Sequence, residues 1–404
     1  MKKLMTMLAV FAMAGLVLNG CKDDDPTPLT LATLKAGDKD LNGATSATDV
    51  AVNSPITIVF STDIDASTAN DNTILLTRTF NSAAVPKTVS VSGNTITVTP
   101  TANFFAGDQY KIQVTGDLKS NEGQALTAVD RTFGTVGIGL GTAPQAAKQM
   151  LYVQFGNDIV DLTGNATKGA VQVAYTADRF GNANSAAQFR GATTAGTGDI
   201  VELASNSLIA PSMTLSVWFY INQADYVAPG NKPMLGLGAQ NGYFIEIGDG
   251  PVSPNWLKLT TNHKVDPDPK AHVTAQAWGD FGSTDDAKEV NTLTKTGWHH
   301  LVMTFDAATY TKTDYLDGVK IKTFNLLDVT NNEWNLKDIV LKSGAGIGNK
   351  LALGFFADKS HTADDWANYA KEPRTFKGSM DDLRLFNVAL SASEVTTLYT
   401  AEKP

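Results

Sequence analysis

The side chains able to do chemistry in this chain are few and mostly isolated. Hydrolysing a glycosidic bond with retention needs two carboxylates about 5 Å apart, one as nucleophile and one as acid. The closest stretch is Phe244-Ile245-Glu246-Ile247-Gly248-Asp249-Gly250, with one Glu, an Asp three residues on and no second Glu. Glu202 has only Asp199 near it in sequence. His299-His300 invites a metal or an acid–base pair, but adjacent strand residues point to opposite faces and do not easily share one ion. There is no G-x-S-x-G elbow, and the one cysteine, Cys21, lies close to the N-terminus. No catalytic residue is assigned, and the chain is expected not to be an enzyme.

The elements that must carry any other site are strands. The chain has 404 residues, enough for two domains, and only 18% of them are charged. Short runs alternate apolar and polar residues, with little helical periodicity. One cysteine excludes an intrachain disulfide. The formal net charge of −9 repels phosphate backbones, so nucleic acid is excluded as a partner. Beyond the N-terminus no apolar run reaches membrane-spanning length.

Lys2 and Lys3 precede an apolar segment, residues 4–18, too short to span comfortably. Leu18-Asn19-Gly20-Cys21 then resembles a bacterial lipobox, and Lys22-Asp23-Asp24-Asp25 resembles the acidic export tag of Bacteroidetes-type surface lipoproteins. The resemblance implies a signal peptide over residues 1–20 and lipidation of Cys21. It places the protein at the outer membrane, facing the cell exterior and touching the bilayer only through its anchor. Pro26-Thr27-Pro28 ends a stiff tether, residues 21–28.

Residues 29–137 form a first domain. Ile56, Ile58 and Phe60, then Ile96 and Val98, then Tyr110, Ile112 and Val114, alternate with polar neighbours. Gly93-Asn94 marks a hairpin turn. About a hundred residues in some seven such runs indicate an Ig-like sandwich. Residues 53–61 (NSPITIVFS), 92–100 (SGNTITVTP), 107–110 (GDQY) and 131–133 (RTF) resemble the bacterial Ig-like (Big_5/SbsA-like) family, which implies a spacer or presentation module. Asp63, Asp65, Asp71 and Asn72 are read as turn residues before calcium ligands. Residues 138–148, rich in glycine, are expected to be a flexible linker.

Residues 149–404 form a second domain. Its motifs, in order, are residues 179–183 (RFGNA), 187–191 (AQFRG), 199–203 (DIVEL), 297–305 (GWHHLVMTF), 315–320 (YLDGVK) and the closing stretch 376–399. In that last stretch an apolar strand carries Asp381-Asp382, and Ser391 with Glu394 forms a capping box. These motifs resemble the laminin-G-like, concanavalin-A-like jelly roll. The fold class is therefore all-β: an Ig-like β-sandwich followed by a concanavalin-A-like sandwich. Hydrolytic members of that fold carry an E-x-D-x-x-E strand, which is missing here.

The resemblance also implies a structural calcium ion, held by Asp381 with carbonyls near Gly156 and Asn157, and with Asp158 or Asp161 as further candidates. Asp381 and Asp382 capping the strand end is the equal alternative. Trp218 and Trp298 lie inside apolar strands and are expected in the core. Sugar sites use exposed aromatics that stack on the pyranose face. Long segments supply Trp256, Trp278, Trp366 and Tyr369 as candidate ligand contacts. The expected ligand is a glycan or glycosylated polymer. A protein partner for an adhesion module is the alternative, and a glycoside hydrolase comes third.

Overall fold

The computed structural model describes residues 26–43, 45–226, 232–237, 242–247, 257–265, 274–280, 296–325, 336–339, 350–362 and 368–404. Cys21, Trp256 and Trp366 lie outside them. Among the described residues the structure is nearly all strand, with one α-helix, Ala392–Glu402. No described helix is long and apolar enough to cross a membrane.

The first domain packs a five-stranded sheet on a four-stranded one. The period-two runs face inward as the alternation requires: Ile56, Ile58, Phe60, Ile96, Val98, Ile112 and Val114 share one buried cluster. Lys87–Ser92 and Thr95–Pro100 form the hairpin, and Gly93 turns it at φ +59°. The acidic residues between strands are turn formers. Asp65 accepts from Ser67 N and Oγ, and Asp71 pairs with Lys87.

In the second domain two eight-stranded sheets enclose one large apolar core. The front sheet carries Met213–Ile221 at its centre, flanked by Gly297–Asp306 and by the last strand, Lys377–Phe386. Along the central strand Met213, Leu215, Val217, Phe219 and Ile221 face the core. Thr214, Ser216, Trp218 and Tyr220 therefore face outward. The outer face is covered over part of its length. The closing helix lays Val395 and Leu398 on Val302, Tyr315 and Phe386. Ser391 caps that helix by accepting from Glu394 N, and the Glu394 carboxylate accepts from Ser391 N, completing the box.

The segment between the domains departs from a flexible linker. Ile138 and Ala143 are buried in the same cluster as the closing helix. Gly139 lies so close to Gly107 that a Cβ would come within 1.8 Å of the Gly107 carbonyl oxygen, so the crossing demands glycine. Gln154 joins the two domains: it accepts from Arg78 Nη2 and donates to the Ala106 carbonyl at 3.3 Å. Composition hid this because only two of the segment's apolar residues, Ile138 and Ala143, are buried.

Cutting back the helix's buried face tests its contribution. Leu398→Ala should lower unfolding free energy by about 2–5 kcal/mol, whereas Val319→Ala, 46% exposed, should stay within about 0.5 kcal/mol. Denaturant unfolding of the two variants measures the contrast.

Candidate ligand-binding groove

The outer face of the front sheet has two halves. One is a buried ionic cluster under the closing helix, and the other is an open groove.

The cluster is built around a bulge. Opposite Ser216 and Trp218 the last strand slips register, and Asp382 takes φ +41°. The bulge turns Asp381, Asp382 and Arg384 towards one side while Met380, Leu383 and Leu385 stay in the core. Arg179, on the turn before Ala186–Arg190, is 8% exposed and pairs with both Asp381 and Asp382. Its Nε donates to the Glu402 carbonyl at 2.5 Å. Arg384 pairs with the Glu402 carboxylate at 3.0 Å, donates to Gln149 and to the Ile138 carbonyl, and stacks 3.5 Å over the Tyr152 ring. Trp218 Nε1 donates to Glu402 at 3.0 Å. His300 is stacked on Trp218, 4.8 Å between ring centres. Burial raises the Asp381 and Glu402 carboxyls above their ordinary range, opposed by Arg179 and Arg384 respectively.

The groove begins where this cover stops. It has a volume of about 510 Å³. Tyr220 and Trp298, opposite each other on adjacent strands, are half-buried with rings 5.8 Å apart and inclined at 62°. Gln188 and Arg190 line the other side. Arg190 is held by Asp199 through Nε at 2.8 Å and Nη2 at 2.7 Å, which fixes its guanidinium at the rim. Lys377 and Asp225 pair at 2.6 Å at one end. Asp178 sits at the other end, accepting from Phe180 N and Asn182 N and so bracing the turn that carries Arg179. The Gln188 amide has no hydrogen-bond partner among the described residues.

These positions correct several expectations. Trp298 is not core: it faces outward at the uncovered end of its strand. Trp218 is buried, but on the outer face beneath the helix. His299 and His300 do point to opposite faces, His299 to Asp317 and His300 to Ser216. Tyr369 is 4% exposed, donates to the Gly198 carbonyl and packs edge-on against Phe355, so it pins a loop and cannot stack on a ligand. Trp278 lies on the strand Thr274–Asp280, paired with Thr260, and its side chain is outside the described residues.

The calcium ligands are not brought together either. Asp381 gives one oxygen to Arg179 and the other to Asp382 N. Asp161 accepts from Tyr152 N, Thr163 N, Asn165 N and Ala166 N, and Asp158 pairs with Lys168. Gly156 packs on the Phe105 ring of the first domain, and Asn157 sits in a cleft beside it. Among the described residues no group of three or more His, Cys, Asp or Glu is placed to hold a metal. Among the described residues the carboxylate oxygens named for the ion already serve other partners, which does not suit it. The groove itself was legible only as the outward parity of Tyr220, which the strongly apolar strand around it masked.

Two stacked sandwich domains with an open groove on the second define a two-domain β-sandwich protein of concanavalin-A-like architecture. Residues 39–135 match the family model of the bacterial Ig-like domain, and residues 195–351 match that of the concanavalin A-like lectin/glucanases superfamily. The last strand lies beyond the second match although it sits inside the front sheet. No curated protein is matched by the sequence. Among solved structures, the botulinum neurotoxin type G receptor-binding domain is 14% identical with a TM-score of 0.40, over 63% of this chain and 51% of that one. The serotype D binding domain is 14% identical with a TM-score of 0.42, over 63% and 52%. The chain thus spans about half the length of these structures.

The cluster predicts a pH response. Burial, with Arg179 and Arg384 nearby, depresses the His300 imidazole to about 3. The unfolded chain takes up that proton near pH 6.5, so folding loses stability through this group as pH falls from about 6.5 towards 3. Asp381 and Glu402, raised by burial, act in the opposite direction. The His300 contribution is isolated by difference: the stability of the parent minus that of His300→Gln should fall with pH below about 6.5, by up to roughly 1.4 kcal/mol per pH unit. Denaturant titrations of both proteins between neutral and mildly acidic pH check it.

Proposed function

We propose that this chain is a non-catalytic, lipid-anchored surface protein whose second sandwich binds a glycan or glycosylated polymer in the groove beside Tyr220 and Trp298. The observation that carries the reading is the half-exposed aromatic pair facing polar groups across an open trough. A pyranose ring offers an apolar C–H face and a rim of hydroxyls. An aromatic surface covers the first, while an amide such as Gln188 and a fixed guanidinium such as Arg190 meet the second. Both signs of charge line the groove, and Arg190 and Lys377 are each paired with an aspartate, which suits a hydroxyl-rich ligand better than a strongly anionic one.

The first sandwich acts as the spacer. Anchoring through Cys21 at the outer membrane, facing outward, rests on the pattern of residues 1–28. A protein segment is the second reading, favoured by Phe180, which stands 41% exposed two residues along the chain from the groove-lining Asp178.

Calorimetric titration of the mature chain against a panel of soluble polysaccharides tests the proposal. Trp298→Ala and Tyr220→Ala should each weaken binding about tenfold or more, roughly 1.4 kcal/mol, with thermal unfolding little changed. Binding that survives both substitutions would exclude the groove. Silence across the panel, with a protein ligand lost on Phe180→Ala, would favour the second reading.

A further inference from the structure

The disagreement between the implied calcium ion and the residues present points to a replacement. Arg179 takes the Asp381 carboxylate that a cation would need. Its guanidinium reaches Asp381 and Asp382 on the last strand and the Glu402 carbonyl at the end of the closing helix. One side chain therefore links the turn between Ala174–Thr176 and Ala186–Arg190 to the C-terminal end of the domain. The implied ion would likewise tie an earlier turn of the domain to Asp381 on the last strand. The geometry suits a planar fork better than a sphere. Nη1 and Nη2 each address a different carboxylate and Nε a carbonyl, while the ring of Trp218 lies 4.9 Å from the guanidinium carbon.

The other acidic side chains of the neighbourhood are committed as well. Asp161 is surrounded by backbone N–H donors and the Thr163 hydroxyl. Asp158 holds Lys168 and Ile159 N. Asp382 also accepts from the Tyr152 hydroxyl at 2.8 Å. A divalent cation at Asp381 would have to displace a guanidinium paired with two carboxylates. It would also need carboxylate oxygens that already serve donors.

We infer that this chain closes its second domain with Arg179 in place of a divalent cation, so that its fold and its groove are independent of calcium. The groove part of this inference rests on the binding reading above; the fold part does not. The Arg179 turn also supplies Asp178 to the groove, so the clamp holds one end of that trough in place.

The test uses the full mature chain, with metal content and thermal unfolding as readouts, so that failure of ligand binding does not enter. After dialysis against EDTA and return to millimolar calcium, the parent should retain no stoichiometric calcium and unfold at the same temperature in both conditions. Arg179→Gln, which keeps hydrogen-bonding capacity but removes the charge, should unfold roughly 5–10 °C lower, because it leaves two buried carboxylates without their cation. Stoichiometric calcium in the parent, or a rise of several degrees on adding it, would overturn the inference. So would an Arg179→Gln protein as stable as the parent. If that variant does not fold at all, the parent measurements decide alone.

Discussion

Two arginines and three carboxylates, set beneath a helix on the outer face of a β-sheet, are the constraint from which most of the second domain follows. Arg179, Arg384, Asp381, Asp382 and Glu402 are all largely buried. Removing such charges from water costs several kcal/mol per ion, and attraction offsets this only when geometry and remaining hydrogen bonds are nearly complete. They are nearly complete here. Each guanidinium is shared between carboxylate and carbonyl oxygens, and Tyr152, Trp218 and Gln149 take up further oxygens or donors. A cluster of this kind need not add net stability over an apolar one. It does make alternatives expensive, because displacing any one member strands a charge in a dry site. That explains why a bulge at a non-glycine residue, Asp382, is tolerated in the middle of the last strand. Without it Asp381 and Arg384 would face opposite sides and the cluster could not form.

The same cluster reaches the first domain. Asp382 holds the Tyr152 hydroxyl, which accepts from Gln154 at 2.9 Å, and Gln154 meets Arg78, itself paired with Asp108. Arg384 meanwhile fixes the Ile138 carbonyl of the connecting segment. The joint is thus a run of directed polar contacts around two buried apolar residues. A first domain joined in this manner fixes the direction in which the second one faces.

Much of the framework was legible because it depends on local rules. Period-two alternation set the inward faces of the first sandwich, and Ser391 with Glu394 marked the closing helix. The misreadings share one cause. In Met213–Ile221 and Gly297–Asp306 both faces are apolar or aromatic over most of their length, so alternation cannot distinguish core from the underside of a covering helix, nor either from an uncovered end. Trp218 and Trp298 occupy equivalent outward positions two residues apart in register, and only the reach of the helix separates a sealed ring from a bare one. Tyr369 misled for the converse reason. It lies in a polar loop, yet its hydroxyl finds the Gly198 carbonyl and its ring finds Phe355, contacts made across the chain and invisible in composition. Asp381 and Asp382 looked like either a metal site or a strand cap because their partner, Arg179, is some two hundred residues away.

The position of the groove then has a physical reason. An outward-facing sheet surface exposed to water is ordinarily polar, and this one stays aromatic where the cover stops. Tyr220 and Trp298 could have been polar without disturbing the core, since Phe219 and Ile221 bury the opposite face. Two large rings left half in water forgo hydrophobic stabilisation of about 25 cal/mol for each Å² kept wet, and their edge-to-face contact recovers only part of it. Folding does not require that loss. A ligand with one apolar face would recover the rest, and the flanking groups are arranged to suit such a face: Arg190 immobilised by a buried aspartate, Lys377 held by Asp225, and Gln188 with its amide unengaged. The ionic cluster and its covering helix confine this incomplete surface to one end of the sheet, so the elements that close the domain also set where the two rings stay bare.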